Sequence, residues 1–256
     1  MLRPRVTPCL LVHRGGLVKT VGFKEPKYVG DPINAVKIFN EKESDELIVL
    51  DIDATADGVE PDYQMIRNLA AECRMPLCYG GGVKTAEQAS RIVGLGVEKV
   101  AISSAAIENP QLVSEIADQI GRQSVVVVID IKKKMLGFGY DVMTHNGKRS
   151  AKRDPFTFAA EMAACGAGEI VLNSIDNDGL MKGYDLAAAE RLMAAVNIPV
   201  TLLGGAGSLD DMKALFDQCG VVGASAGSFF VFKGPYRAVL ITYPSAHQKD
   251  LLFNVQ

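Results

Sequence analysis

At 256 residues, with 48% apolar and 22% charged residues, the chain has a globular composition and is long enough for one large α/β barrel. The net charge of −3 gives no basic excess that would favour nucleic acid or an anionic membrane as a partner. The five cysteines are scattered, and the sequence has neither a leader peptide nor an apolar run of membrane-spanning length, so we expect a cytoplasmic protein without disulfides, metal or cofactor.

Short segments rich in β-branched residues alternate with helical patterns, which predicts parallel strands joined by crossover helices. We predict eight strands, at 5–12, 46–52, 76–79, 98–103, 124–131, 168–174, 199–203 and 221–225. The helices between them are predicted near 31–43, 61–74, 85–95, 110–121, 155–166, 184–196 and 208–219. Eight strand–helix units in a chain of this length predict one closed (β/α)8 barrel.

Two pairs of segments repeat at one fixed distance. Residues 46–58 are similar to 169–179, and residues 76–82 are similar to 199–207, in both cases 123 residues further along the chain. Because two unrelated pairs share one offset, we predict two homologous half-barrels, about 1–122 and 123–244. The expected organisation is therefore a single barrel domain over 1–244, followed by a C-terminal tail at 245–256.

Two regions depart from the regular alternation. Residues 137–149 carry an Asn-Gly turn between two strand-like stretches, which predicts a β-hairpin over the barrel mouth after the fifth strand. Residues 237–243 are β-branched and stop at Pro244, so we expect the eighth outer helix to be short or replaced. The tail from Ser245 is expected to be frayed.

Glycine-rich loops follow the third and seventh predicted strands, and small or hydroxyl residues follow the fourth and eighth. Backbone N–H groups in such loops bind phosphate without basic side chains. Because the repeat puts the two sets on opposite sides of the barrel, we expect a ligand with a phosphate at each end; glycines that serve only tight turns are the alternative. The candidate phosphate-binding residues are Gly81, Gly82, Ser103, Ser104, Gly179, Gly205, Gly207, Gly227 and Ser228.

Four carboxylates fall at or just after predicted strand ends: Asp51, Asp130, Asp176 and Asp178. A general acid or base needs a carboxylate facing the substrate at that level, whereas helix capping or pairing with lysine is the alternative role. Asp130 ends the apolar run of the fifth strand, and the equivalent position on the first strand is Leu11, which cannot transfer a proton. His13, two residues further on, is a candidate substitute.

Ten short stretches occur in an order that is typical of one barrel family. They are Thr7–Leu10, Val18–Lys19, Gly30–Pro32, Asp45–Leu47, Gly80–Val83, Val128–Asp130, Gly166–Ile170, Ser174–Gly179, Gly183–Asp185 and Gly204–Gly207. With these motifs the chain resembles the cyclase subunit of imidazole glycerol phosphate synthase, from about Arg3 to Phe232.

The resemblance implies a reaction and two partners. Members of this family take ammonia from a glutaminase subunit at the barrel bottom and pass it to a bisphosphorylated ribulosyl-formimino substrate at the top. Cyclisation and cleavage then give imidazole glycerol phosphate and an aminoimidazole carboxamide ribotide. The resemblance assigns one of two catalytic aspartates to Asp130 and the other position to Leu11, with Asp178 as a candidate helper.

Further site residues follow from the same resemblance. Lys19, Asp51 and Asp176 are expected at the substrate, and Ser103-Ser104 stand where the family usually has Asn-Thr. The ring of four charged residues that forms the family's ammonia entrance falls on Arg5, Glu46, Lys99 and Glu169, and all four charge types match. Ordinary charges at strand starts would explain one or two of these matches.

Taken together, these residues favour a divergent copy that keeps the ammonia entrance but lacks one catalytic carboxylate. Such a chain resembles the second-copy branch of the family from surface-polysaccharide loci, and residues 236–244 resemble that branch as well. There the ammonia serves a sugar amidotransferase that converts an acetamido into an acetamidino group. The alternatives are an active cyclase of histidine biosynthesis and a catalytically silent conduit that only binds partners.

Overall fold

The computed structural model describes residues 3–134 and 138–253. In chain order its strands are β1 (Arg5–His13), β2 (Gly16–Val21), β3 (Lys24–Gly30), β4 (Leu47–Asp51), β5 (Leu77–Gly80), β6 (Lys99–Ile102), β7 (Val125–Lys133), β8 (Tyr140–Thr144), β9 (Arg149–Ser150), β10 (Glu169–Ser174), β11 (Val200–Leu203), β12 (Gly223–Ala226), β13 (Phe232–Lys233) and β14 (Ala238–Val239). The helices are α1 (Pro32–Glu41), α2 (Ala54–Asp57), α3 (Tyr63–Glu72), α4 (Ala86–Val93), α5 (Ser104–Glu108), α6 (Gln111–Ile120), α7 (Pro155–Cys165), α8 (Leu186–Ala195), α9 (Leu209–Cys219), α10 (Ser228–Val231) and α11 (Ala246–Leu252).

Eight of the strands pair in parallel and close into a barrel, in the order β1, β4, β5, β6, β7, β10, β11 and β12. The barrel closes because β12 pairs with β1, with Arg5 beside Gly223 and Thr7 beside Ser225. Each barrel strand overlaps one of the eight predicted strands, so the predicted (β/α)8 fold is confirmed.

The outer helices begin with capping residues that the sequence supplies. At the start of α4 the Thr85 side chain accepts from the Gln88 N–H and the Gln88 side chain accepts in return, which forms a capping box. Ser208 and Asp211 form the same box at the start of α9, and both members lie 123 residues after their counterparts. This recurrence supports the proposal of two homologous halves.

The barrel wall separates two apolar layers because side chains alternate along each strand. On β1, Val6 and Leu10 point outward and pack in the large core beneath the helices. Cys9 points inward and belongs to a second cluster that fills the barrel. The inner cluster consists of Cys9, Ile48, Cys78, Ala101, Val126, Val128, Val171 and Leu203, with Leu11 and Leu50 packed at its edge.

Hairpins follow two of the barrel strands, β1 and β7, at the carboxyl end of the barrel. The predicted hairpin after the fifth strand is present, since β8 pairs antiparallel with the upper part of β7, and Asn146-Gly147 lie in the turn between β8 and β9. Residue 137, at its predicted start, lies outside the described residues. The hairpin of β2 and β3 after β1 was not predicted, although Gly15-Gly16 and Gly22 at its turns are a signal for it.

The C-terminal region corrects one expectation. The helix directly after β12 is only the short α10, as expected, and the β13–β14 hairpin follows it. The tail is not frayed, however, because α11 packs against α9 and buries Leu252, while Lys249 pairs with Asp45 at 2.6 Å. No helix among residues 3–134 and 138–253 is long and apolar enough to cross a membrane.

Candidate functional site

A cavity of about 350 Å³ opens at the carboxyl ends of the barrel strands. Its floor is the top of the inner apolar cluster, including Cys9, Val128 and Leu203. The rim includes Phe23 from the turn between β2 and β3, and Asn146 from the turn between β8 and β9. This is the end of the barrel at which enzymes of this fold carry their active sites.

Asp130 is half-buried at the end of β7 and lines this cavity. Asn173 on the neighbouring strand β10 donates a hydrogen bond from Nδ2 to Asp130 Oδ1 at 2.9 Å. Burial raises the pKa of Asp130 to about 7, against the effect of the Asn173 hydrogen bond and with an addition from the charge of Asp178. Near neutral pH both protonation states are populated, which suits a general acid or base.

Leu11 lines the same cavity from the opposite side of the barrel. Strand pairing puts Leu11 beside Leu50 on β1 and β4, and Asp130 beside Asn173 on β7 and β10. These two strand pairs lie four strands apart in a barrel of eight, so an apolar pair faces a polar pair. At the position where the resemblance expects the first catalytic carboxylate, the cavity has no group that can move a proton.

Lys19 and Asp178 line the cavity, but each is engaged in holding the β2–β3 hairpin. Lys19 is buried and donates from Nζ to the carbonyl oxygen of Cys9 at 2.6 Å, and burial lowers its pKa. Asp178 Oδ2 accepts from Thr20 Oγ1 at 2.7 Å and from the Phe23 N–H at 3.2 Å. Burial raises the pKa of Asp178.

The two other candidate carboxylates accept hydrogen bonds from backbone N–H groups. Asp51 lines the cavity, but its Oδ1 accepts from the N–H groups of Asp53 and Ala54, at 2.9 and 3.1 Å, so it caps the turn into α2. Asp176 does not line the cavity; its Oδ2 accepts from the Lys133 N–H at 2.8 Å and ties the loop after β10 to β7. The structure therefore does not bring Asp176 to the other candidate residues.

The histidines do not replace the missing carboxylate. His13 is at the rim, with Nδ1 2.7 Å from Asp53 Oδ1, so it is already paired. His145 is half-buried and lines the cavity, with Nδ1 3.1 Å from Thr144 Oγ1. His247 is exposed on α11.

The candidate phosphate loops surround the cavity on two sides. The residues that line it are Gly81, Gly82, Ser103, Ser104, Gly179, Gly205, Gly227 and Ser228. Gly207 lies outside the lining, and its N–H donates to Asp211 Oδ2 at 2.8 Å at the start of α9. A phosphate role for the eight lining residues stays a prediction.

At two of these positions the backbone conformation itself requires glycine. A Cβ on Gly81 would lie 2.5 Å from the Asp51 carbonyl oxygen, and one on Gly205 would lie 2.1 Å from that of Gly183. Both glycines have positive φ, at 125° and 114°. The fold therefore needs glycine there whether or not phosphate binds.

At the opposite end of the barrel, four charged side chains form a closed ring of alternating sign. Arg5 bonds to Glu46 at 2.6 Å and to Glu169 at 2.7 Å. Lys99 bonds to the same two carboxylates, at 2.6 and 2.8 Å. Thr201 donates to Glu169 at 2.6 Å. The four predicted entrance residues are thus brought together across the bottom of the barrel.

The ring fixes the charge states of its members. Burial disfavours the charge on Glu169, but Arg5 and Lys99 outweigh it and lower the Glu169 pKa to about 2. Burial likewise opposes the charges on Arg5 and Lys99, yet the two glutamates raise the pKa of both. At neutral pH Arg5, Lys99 and Glu169 are therefore charged, and each of them is paired.

The barrel thus has a charged ring at one end, an apolar interior and a polar cavity at the other end. A small neutral molecule can cross such an interior far more easily than an ion, because burying an unpaired charge costs several kcal/mol. Within the described residues, no group of three or more His, Cys, Asp or Glu is placed to hold a metal ion.

Sequence reasoning did not identify three residues of the site. Asn173 bonds to Asp130, Thr201 bonds to the ring, and Asp53 pairs with His13. The repeat carried a signal for Asn173, which lies 123 residues after Leu50 at a strand end. Thr201 and Asp53 are recognisable only from their contacts.

Comparison with known proteins places this geometry in a family. The family described as histidine biosynthesis protein matches residues 5–236. A protein of Vibrio vulnificus strain YJ016, provisionally named imidazole glycerol phosphate synthase subunit hisF3, is 59% identical over 249 residues, which cover 97% of this chain and 96% of that protein.

Two further relatives mark the range of similarity. The provisionally named subunit hisF2 of Pseudomonas aeruginosa strain PAO1 is 54% identical over 251 residues, covering 98% of this chain and all of that protein. Imidazole glycerol phosphate synthase subunit HisF of Streptococcus sanguinis strain SK36 is 38% identical over 230 residues, covering 90% and 91%. The chain is thus more similar to these numbered copies than to this subunit without a number.

Proposed function

Because the chain belongs to the HisF family, the cyclase subunits of imidazole glycerol phosphate synthase, we propose that it is a divergent member that delivers ammonia to another acceptor. A glutaminase subunit supplies the ammonia at the barrel bottom, and the acceptor is a surface sugar whose acetamido group is converted to acetamidino. One observation carries the proposal: the charged ring is complete, whereas Leu11 stands where the cyclisation chemistry needs a carboxylate.

The lower end supports ammonia entry. All four members of the ring are partly or fully buried and mutually paired, so they are not ordinary surface charges at strand starts. The apolar cluster above the ring favours neutral ammonia over ammonium, since the ion would lose its hydration there without a partner. The cavity begins where this cluster ends, so ammonia that crosses the barrel arrives between Leu11 and Asp130.

The upper end argues against efficient cyclisation. Loss of a proton-transfer group costs about 10²–10⁴ in rate, and neither His13 nor Asp178 is free to compensate for Leu11. His13 is paired with Asp53, and Asp178 holds the β2–β3 hairpin. The similarity to copies numbered hisF2 and hisF3 also supports a role separate from that of the principal subunit.

An active cyclase of histidine biosynthesis is the second candidate. It is favoured by Asp130, whose pKa of about 7 suits proton transfer, and by the glycine loops that line both sides of the cavity. In that case Asp130 would have to do alone what the family assigns to two aspartates.

One experiment tests both halves of the proposal. The chain is mixed with the HisH-type glutaminase subunits of its own organism and given glutamine labelled with ¹⁵N in the amide, together with the ribulosyl-formimino substrate. We expect a stable complex with one of them by analytical ultracentrifugation and no labelled imidazole glycerol phosphate. Failure to bind any glutaminase, or labelled product at ordinary enzyme rates, would overturn the proposal.

A further inference from the structure

Each of the three hairpins at the carboxyl end of the barrel presents an exposed aromatic side chain. Tyr28 on β3 is 66% exposed, Tyr236 between β13 and β14 is 95% exposed, and Phe138 before β8 is fully exposed. These are all the exposed aromatic residues in the described part of the chain. Exposed large aromatic side chains gathered on one face are typical of a protein-binding surface.

The hairpins border the cavity mouth. The β2–β3 hairpin contributes Lys19, Phe23 and Pro26 to the cavity lining. The β13–β14 hairpin is tied to the cavity wall, because Arg237 donates to the Gly179 carbonyl oxygen at 3.4 Å. Phe138 lies beyond the end of β7, the strand that carries Asp130.

The same hairpins are basic although the chain as a whole is acidic. Lys24 and Lys27 lie on β3 of the first hairpin, Lys132 and Lys134 precede Phe138, and Lys233 precedes Tyr236, all of them exposed. The hairpins also carry the carboxylates Glu25 and Asp141, but their lysines outnumber these, so the hairpins are net positive. The cavity between them is lined by five aspartates. A partner that docks here should present an acidic face with apolar pockets.

We propose that the three hairpins, at Tyr28, Phe138 and Tyr236, form the docking surface for the enzyme that consumes the ammonia. This inference rests on the proposed function, which requires an acceptor enzyme at the place where ammonia leaves the barrel. A partner seated on all three hairpins covers the cavity mouth and keeps ammonia from escaping into water. The aromatic side chains supply the apolar contact area, and the charges of the lysines orient the partner as it docks.

The test uses a photocrosslinking amino acid placed in the full chain in its own organism. Tyr28, Phe138 and Tyr236 are replaced singly, with Val221 before β12 as a probe of the bottom face and Met193 on α8 as a probe of the side. Crosslinked proteins are identified by mass spectrometry. We expect the three hairpin positions to capture the sugar amidotransferase, Val221 to capture the glutaminase, and Met193 to capture neither.

The outcomes separate this inference from the proposed function. If Val221 captures the glutaminase but the hairpin positions capture only the glutaminase, a second copy of the chain or no protein, the docking surface is wrong and ammonia entry stands. If Val221 fails as well, the proposed function fails with it. As a second measurement, Tyr28→Ala with Tyr236→Ala should weaken binding of the captured amidotransferase at least about 10-fold without changing glutaminase binding; unchanged affinity would overturn the inference.

Discussion

The two ends of the barrel differ in how their polar groups are arranged. At the bottom, Arg5, Glu46, Lys99 and Glu169 form a closed ring in which every charge has two partners. At the top, Asp130 has Asn173 as its hydrogen-bond partner and faces an apolar wall that includes Leu11. All four charged residues of the ring are thus present at the bottom, whereas at the top only the second half of the barrel supplies a candidate catalytic carboxylate, Asp130.

This difference separates fold from function within one molecule. The two halves remain alike where the fold depends on them, as in the capping boxes of α4 and α9 and the glycines at 81 and 204. They differ at the paired strand positions where proton transfer would take place, which are Leu11 and Leu50 in the first half and Asp130 and Asn173 in the second. A chain that still needed cyclisation would be expected to keep a carboxylate at the position of Leu11. A chain that only passes ammonia would need the ring and the apolar interior.

The largest expected effect is on the rate of cyclisation, when a carboxylate is restored at position 11. Leu11→Asp should raise the rate of cyclisation with ammonium by about 10²-fold or more, because it returns a proton-transfer group to the cavity opposite Asp130. The rate is measured as imidazole glycerol phosphate formed under saturating substrate. Leu50→Asp, on the same apolar wall, is the matched control and should give no gain; an equal gain in both would contradict the assignment of Leu11.

Breaking the ring should destabilise the barrel strongly. Glu169→Gln leaves Arg5 and Lys99 with one carboxylate between them, and we expect a loss of about 3 kcal/mol in the free energy of unfolding. Urea denaturation measures it, with Glu115→Gln on the exposed face of α6 as the control, expected within about 0.5 kcal/mol of the unmodified chain. Equal stability of both variants would show that the ring is not a buried network.

The ring also predicts that the stability of the folded chain decreases in acid. The pKa of Glu169 is about 2 in the folded chain and 4.5 ordinarily, so its contribution to stability is fully present above pH 4.5 and is lost as the pH falls toward 2. Glu169→Gln should therefore lose less stability than the unmodified chain between these two pH values. Parallel loss in both chains would contradict the low pKa.

A smaller effect is expected at the C-terminal helix, which braces the bottom end through Lys249 and Asp45. Leu252→Ala should cost about 2 kcal/mol, because Leu252 is buried against the core, whereas Leu251→Ala should change little, because Leu251 is 62% exposed. Urea denaturation of the two neighbouring variants gives the comparison. Similar stabilities would restore the idea of a frayed tail.

The remaining prediction concerns the pH dependence of stability that Asp130 causes at the polar wall of the cavity. The pKa of Asp130 is raised from 3.8 to about 7, so folding holds its proton and the chain loses stability as the pH rises through this range. Asp130→Asn should therefore gain stability relative to the unmodified chain as the pH rises from 3.8 to about 7, and the difference should stay constant above that. Asp118→Asn on α6 is the control, and a constant difference across pH would argue against the raised pKa.

Much of the fold could be predicted because it depends on local patterns. The eight strands and the hairpin over 138–149 follow from β-branched runs and turn residues, and the repeat accounts for the barrel. The β2–β3 hairpin was missed because its strand β3 is exposed along most of its length and has no apolar alternation. The tail was misread because Leu252 and Phe253 are too short a pattern to predict a packed helix.

The site was harder to predict, because contacts rather than residue types decide each role. Asp51 and Asp176 have the positions of catalytic carboxylates but bind backbone N–H groups. Gly207 belongs to a glycine-rich loop but gives its N–H to Asp211. The ring was expected from the family resemblance, yet only the structure shows that all four side chains close on one another.

The most direct test of the account is the rate at which the unmodified chain converts the ribulosyl-formimino substrate to imidazole glycerol phosphate in excess ammonium. Free ammonium bypasses the glutaminase and the ring, so the rate reports only on the cavity with Leu11 and Asp130. We predict turnover at least about 10²-fold below that of an ordinary HisF subunit assayed in parallel. Equal rates would contradict the account and make the chain a working cyclase of histidine biosynthesis.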